Sequence, residues 1–468
     1  MADKKDKNQV LKEQLFSKKK NGWDRIKPED AAQIDAYCAD YKLFLDVGKT
    51  ERLCAAEVIR LARAAGYVPY ERGMDLATGS KVYVCNRGKS VMLAYLGRQP
   101  LDAGAMITAA HIDSPRLDLK PNPLYEDGEF AYFKTHYYGG LRKYQWPTIP
   151  LELHGVLAMP DGSVKEVNIG ADEGDPKFVI TDLLPHLGQA QSRKPLAEAI
   201  PGETLNLLLG SRPVEGEGSE RVKLAVMQLL NEKYGIVEDD FTSAELEVVP
   251  AAKACDIGLD RSMIGSYGHD DRVCAYAALR ALLDLKQAPA RTAVCVLADK
   301  EEIGSDGVTG MQSAAFDTFL EDLCEAQQVP VRVCYEKSFC LSADVTAAFD
   351  PDYADVYEKR NSAFLNYGVG LCKYTGARGK SGASDANAET VAFVRGVFDR
   401  ADVIWQIAEL GKVDAGGGGT VAMYMANRNI TTLDAGVPVL SMHAPFETVA
   451  KLDCYETYKG MKALYEAE

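Results

Sequence analysis

The chain has 468 residues, 47% hydrophobic and 26% charged, with a formal net charge of −15. One core stops growing at roughly 250–300 residues, so two domains are expected, with no extended disorder away from the termini. The acidic balance disfavours nonspecific contact with nucleic acid or an anionic membrane, and neither is an expected partner.

Eleven cysteines lie scattered in apolar stretches and no C-x-x-C pair occurs. That usage reads as reduced, buried thiols in a cytoplasmic protein. The N-terminus "MADKKDKNQVLKEQLFSKKKNGWDR" is cationic but lacks the apolar stretch of a secretory signal. No window holds the roughly 18 uninterrupted apolar residues that span a bilayer.

In chain order, the lysine-rich start reads as a solvated helix or tail. Residues 28–65 carry a helical pattern, and "VIRLARAAGY" stops at Gly66. Two strands follow, "KVYVCNR" and "SVMLAYLG", on either side of Gly88. The run "AMITAAHIDSPRLDLKP" is apolar and turns polar at His111. Helix alternating with apolar strand predicts an α/β layer structure.

The pattern changes from about residue 121 to residue 250. Short strand-like pieces such as "PLELHGVLAMPDGSVKEVNIG" recur with turn residues, and "ERVKLAVMQLLNEKYG" interrupts them as one helix. This is the signature of a separate β-rich insertion, bordered by the linker-like "KPNPLYEDG" and "EVVPAAKACDIG". The α/β pattern then resumes. "DDRVCAYAALRALLDL" reads as a strongly amphipathic helix, and "TAVCVLAD", "VRVCYEKSFCLSAD" and "VPVLSMH" as strands. "AETVAFVRGV" and "TVAKLDCYETYKGMKALYEA" read as helices, and the glycines at 416–419 as a tight loop.

Several apolar runs end on metal-ligand residues. His111 closes one, with Asp113 two residues on; Glu301 and Glu302 close the next; Asp344 and His443 close two more. Asp270 and Asp271 open a helix. Ligands in open α/β sheets sit beyond the carboxyl ends of the strands, so these groups can line one crevice. Imidazole and carboxylate donors suit zinc, and a two-ion site needs a bridging carboxylate. In an extended segment Asp113 shares a face with His111 and supports its imidazole. Adjacent glutamates permit a division of labour, one ligating and the other free as a general base. Both must then lie where the strand gives way to a loop, a bend that Gly304 permits.

Each feature alone has a plainer reading. Glu301-Glu302 is by itself a solvated acidic pair, and Asp270-Asp271 a helix N-cap. His136, His154, His186 and His269 read first as structural histidines. Joint occurrence is what lifts the set.

The segments "TAAHIDSPRLDLKP", "YGHDDRVCAYAAL", "ADKEEIGSDG", "LSADVTAAFDPDY", "GKSGASDANAE", "DAGGGGTVAMYMA" and "SMHAPFE" occur in an order that strongly resembles the aspartyl aminopeptidase family of zinc metallopeptidases. The resemblance runs from about Asp35 to Tyr465. It implies two zinc ions per subunit, with manganese or cobalt as substitutes. His111 and Asp344 are the implied terminal ligands of one ion, Glu302 and His443 those of the other, and Asp270 the bridge. Glu301 is the implied general base and Asp113 the support for His111. Asp271 stays a cap or structural residue.

The implied architecture is a mixed-sheet α/β di-zinc exopeptidase domain, residues 1–121 and 252–468, with a β-rich dimerisation domain inserted at 122–251. The implied partners are peptide substrates and further copies of the chain, as a dimer and a tetrahedral dodecamer. His186 in "LLPHLGQA" matches a histidine that reaches a neighbour's active site in such assemblies, although the second histidine often found one turn later is missing. Lys373 is the implied cation for a substrate N-terminal Asp or Glu. The competing expectations are a related di-zinc carboxypeptidase or amide deacylase, and an inactive assembly protein.

Overall fold

The computed structural model describes residues 7–17 and 19–468. Of the lysine-rich start, Lys7–Leu15 is a helix with no buried residue, and the remainder of its charged stretch at 1–6 lies outside the described residues.

A nine-stranded mixed sheet forms the centre. Its middle is four adjacent parallel strands, Thr292–Ala298, Ala105–His111, Phe339–Ser342 and Thr431–Gly436. Burial of every residue of the first two explains why they read as continuous apolar runs. Antiparallel strands extend the sheet on one side: Ser90–Tyr95 and Lys81–Asn86, joined at Arg87 and Gly88, both at positive φ. Side chains alternate between the faces. Met106 and Ala110 join the core beneath helices Pro28–Val47, His269–Leu283 and Lys451–Tyr465, while Ile107 and Ala109 pack under Ala315–Ala326 and Ala422–Ala426.

Three local expectations change. The helix His269–Leu283 is buried on every side except at Arg280, because it lies between the sheet and the other two helices on that face. Its short, mostly apolar side chains suit a fully enclosed helix. The first half of "VRVCYEKSFCLSAD" is a helix, Val331–Lys337, that starts after Pro330 and buries Cys334; only Phe339–Ser342 is strand. "VPVLSMH" contributes three residues, Pro438–Leu440, to a separate five-stranded sheet, and the strand of the main sheet is the more polar Thr431–Gly436.

A six-stranded antiparallel sheet, in the order Val164–Ile169, Leu151–Ala158, Ala244–Pro250, Arg116–Asp127, Phe130–Tyr138, Leu207–Gly210, has its own core around Phe133, Trp146, Leu153, Phe241 and Val248. "KPNPLYEDG" is not a linker. It runs inside the strand Arg116–Asp127, with both prolines in the register irregularity between Leu119 and Leu124, where the ladder asks for no N–H donor. A buried ionic cluster joins the two units: Glu51 meets Lys89 at 3.0 Å and Arg116 at 3.3 Å, and Arg116 meets Glu247 at 3.2 Å. Lys49 holds the returning chain through the carbonyls of Pro250 at 2.8 Å and Ala252 at 2.9 Å.

Thr431–Gly436 ends against the backbone of Asp344, where a Cβ on Gly436 would overlap the Asp344 carbonyl. Gly436→Ala is expected to lower stability by about 1–3 kcal/mol, as overpacking does, read as a fall in the urea midpoint with an unchanged slope.

Candidate metal centre

The four parallel strands end at the same edge of the sheet, and that register gathers the site. His111 is the last residue of its strand and is buried. Beside it, Thr292–Ala298 gives way to Lys300 at φ +67, a single tight turn at Glu301–Ile303, and Gly304 at φ +92. The turn points both glutamates the same way, as Gly304 allows. Asp344 follows the next strand. His443 sits in the loop after Pro438–Leu440, and Asp270 opens the buried helix.

Asp270 is the hub. Its Oδ1 lies 3.2 Å from His111 Nε2, and its Oδ2 lies 3.1 Å from His443 Nε2. Asp344 Oδ1 is 3.8 Å from His111 Nε2, and Glu302 Oε2 is 3.6 Å from His443 Nε2. Glu301 Oε2 stands 3.9 Å from His111 Nε2. The two glutamates differ in access: the Glu301 side chain is 18% exposed and that of Glu302 3%.

Two further carboxylates hold the backbone of these residues. The Asp113 carboxylate accepts hydrogen bonds from the N–H of Glu301 at 3.1 Å and of Glu302 at 3.2 Å, while His111 Nδ1 donates to the Asp113 backbone carbonyl at 3.0 Å with Asp113 Oδ1 at 3.3 Å. Glu447 accepts from the N–H of His443 at 2.7 Å and of Asp270 at 3.1 Å. Glu447, the last residue of "SMHAPFE", is a site residue that sequence reasoning misses. A lone glutamate on an apolar strand carries no signal of its own.

The electrostatics demand a cation. Burial, with the neighbouring carboxylates, pushes Glu301 up to about 8 and raises Glu302 and Asp344 above the usual range. Burial would raise Asp270 too, but hydrogen bonds from both imidazoles hold it below. Burial would lower His111; Asp113, Asp270 and Asp344 outweigh it and raise the imidazole. His443 likewise rises to about 11 against its burial, through Asp270 and Glu302. Glu302 Oε1 is buried with no hydrogen-bond partner. Two imidazoles and four crowded carboxylates, one with an orphaned oxygen, form a donor set that fits zinc.

The cluster forms one wall of a cavity of about 400 Å³. Thr375, Leu410, Met423, the glycines at 417–419 and the buried Asp434 also line it. Lys373 is outside that wall, 43% exposed and paired with Asp385 at 3.0 Å. His186 lies exposed on the six-stranded unit, away from this cavity. Asp271 is fully buried, and both its oxygens lack a hydrogen-bond partner.

Comparison with known proteins agrees. The family model "Aminopeptidase I zinc metalloprotease (M18)" matches residues 44–465. A probable M18 family aminopeptidase 1 of Clostridium acetobutylicum is 48% identical over 458 residues, spanning 96% of this chain and 98% of that protein. The crystal structure of an M18 family aminopeptidase from Thermotoga maritima superposes with a TM-score of 0.92 at 46% identity, covering 96% of this chain and 99% of that one. The mApe1 dodecamer of S. cerevisiae shares the fold, with a TM-score of 0.74 at 19% identity over 93% of this chain and 99% of that one. The chain therefore belongs to the M18 aminopeptidase I family of zinc metalloproteases, and it is a hydrolase of the metalloaminopeptidase type.

Proposed function

We propose that each subunit holds two zinc ions and removes the N-terminal residue of a peptide. The observation that carries this reading is the Asp270 carboxylate, whose two oxygens each face a different imidazole nitrogen. A carboxylate so placed would help hold both ions, His111 and Asp344 completing the donor set for one and Glu302 and His443 that for the other. Manganese or cobalt would accept the same donors. Bound zinc supplies a Lewis acid for the scissile carbonyl and lowers the pKa of a water molecule.

The chain's own groups do the rest. Glu301, the more open of the two glutamates, accepts the proton of the attacking water and returns it to the leaving amine. Asp113 orients His111 and, through two backbone N–H groups, sets Glu301 and Glu302.

A preference for N-terminal Asp or Glu is the finer part of the proposal. The cavity continues past Thr375, Leu410 and Gly417 into a smaller one of about 50 Å³ lined by Arg378, Lys380 and Lys412. These cations are better placed than Lys373, which Asp385 engages. Lys380 also pairs with Asp385, at 3.1 Å, and Glu409 lines the same small cavity, which leaves Arg378 and Lys412 as the candidates. The same cations would suit the terminal carboxylate of a carboxypeptidase substrate, which makes that the second reading.

Residues 122–251 are read as the dimerisation domain. Leu183, Leu184 and Leu187 stand exposed around His186, as residues awaiting a second copy would. A dodecamer like that of the yeast neighbour would let His186 act in an adjacent subunit's site. Eleven unpaired cysteines support a reducing compartment, the cytoplasm. Among the described residues, no helix is long and apolar enough to cross a membrane.

Glu301→Gln is expected to lower kcat by about 10²–10⁴ while zinc content and oligomer size stay at wild-type values; equal turnover of mutant and wild type would remove Glu301 as the base. Acetylating the substrate N-terminus should abolish cleavage, whereas the carboxypeptidase reading requires that it survive. A comparison of kcat/KM for Asp and Leu N-termini decides the acidic preference. Without metal, the raised pKa values of His111, His443 and Glu301 favour their protonated forms. Zinc needs free lone pairs, so its binding should release protons and tighten as pH rises. Calorimetry in two buffers of different ionisation enthalpy measures this; identical heats would contradict it.

A further inference from the structure

The six-stranded unit reaches the metal centre through three consecutive residues. Strand Phe130–Tyr138 ends there and runs directly into Gly139 and Gly140. The Tyr138 hydroxyl donates to Asp113 Oδ2 at 2.8 Å. Gly139 sits at φ +76, and a Cβ on it would lie 3.3 Å from both Cβ and Oε2 of Glu302. His443 Nδ1 lies 3.1 Å from the carbonyl oxygen of Gly140, and a Cβ on Gly140 would lie 3.2 Å from that nitrogen.

We infer that Tyr138, Gly139 and Gly140 form a positioning strap for the metal centre, by which the six-stranded unit sets the metal affinity of the nine-stranded one. The inference rests on the zinc ligand set proposed above. On the His443 side, Nδ1–H donates to Gly140, which leaves the Nε2 lone pair turned toward Asp270 and Glu302. On the His111 side, Asp113 is the intermediary. Its carboxylate must face the imidazole and two backbone N–H groups at once, and the Tyr138 hydroxyl fixes its rotation. Burial, which raises the tyrosine's pKa, keeps that hydroxyl a donor.

The strap is itself anchored. The Arg116 guanidinium lies 3.9 Å from the centre of the Tyr138 ring, and the two residues are cross-strand partners. Arg116 in turn is held by Asp118 at 2.8 Å, Glu247 at 3.2 Å and Glu51 at 3.3 Å. The buried ionic cluster between the units thus ends, through one ring, on the carboxylate that orients His111. Gly139 is favoured by its backbone as well as by space, and Gly140 by space alone: a Cβ at either would press on a proposed zinc ligand.

Tyr138→Phe removes only the hydroxyl and leaves the ring under Arg116. On the assembled full-length protein we expect zinc affinity, measured by chelator competition, to fall about tenfold, with kcat lowered at saturating zinc and KM unchanged. Gly140→Ala should weaken zinc more, by displacing His443. The melting temperature of the metal-free protein should stay at its wild-type value in Tyr138→Phe. Asp113→Asn serves as the reference. If both strap variants keep wild-type zinc affinity and kcat while Asp113→Asn loses them, the strap is overturned and the ligand set stands. If Asp113→Asn also retains zinc, the proposed role of Asp113 is what fails. A lowered metal-free melting temperature with unchanged zinc affinity would make Tyr138 merely structural and overturn the inference.

Discussion

The constraint around which the cavity is arranged is one buried carboxylate shared between two imidazoles. Asp270 is 3% exposed, with each oxygen about a hydrogen-bond length from a different histidine. Glu301, Glu302 and Asp344 crowd the same space. Burial first, and then mutual repulsion, raises the pKa values of these carboxylates, and the carboxylates in turn raise those of His111 and His443. Bound zinc would relieve that crowding.

The fold meets this demand by ending parallel strands at a common edge. Neighbouring strands of a parallel sheet are about 4.8 Å apart, so residues just beyond their ends converge within ligand reach. Strand ends alone leave the side chains free to turn. Asp113 and Glu447 remove that freedom by each fastening two backbone N–H groups: Asp113 those of Glu301 and Glu302, Glu447 those of Asp270 and His443. Four of the groups around the cavity are therefore fixed at the main chain before any metal arrives.

The second unit is tied to the first by charge as well as by chain. Buried ion pairs add little net stability against well-packed apolar residues, but removing one partner strands the other and costs several kcal/mol. The Glu51, Lys89, Arg116 and Glu247 cluster thus favours one relative placement of the two sheets over many. That placement is what brings Tyr138 and Gly140 against Asp113 and His443.

Much of this was written into the amino-acid order. Apolar runs closing on His111, Glu301-Glu302 and Asp344 declared three of the central strands, because burial on both faces demands apolar residues, and with His443 they declared the donor types, because zinc takes few kinds of ligand. The turn at Gly304 followed from the need to aim two adjacent side chains one way. Tertiary structure alone decided the rest. Val331–Lys337 became helix and Thr431–Gly436 strand through what they pack against. "KPNPLYEDG" became strand by placing its prolines where the ladder is already broken. Glu447, Tyr138 and Gly140 carry no local pattern, since a hydrogen bond between residues far apart in sequence leaves no spacing to read; their partners exist only once both sheets are folded and docked.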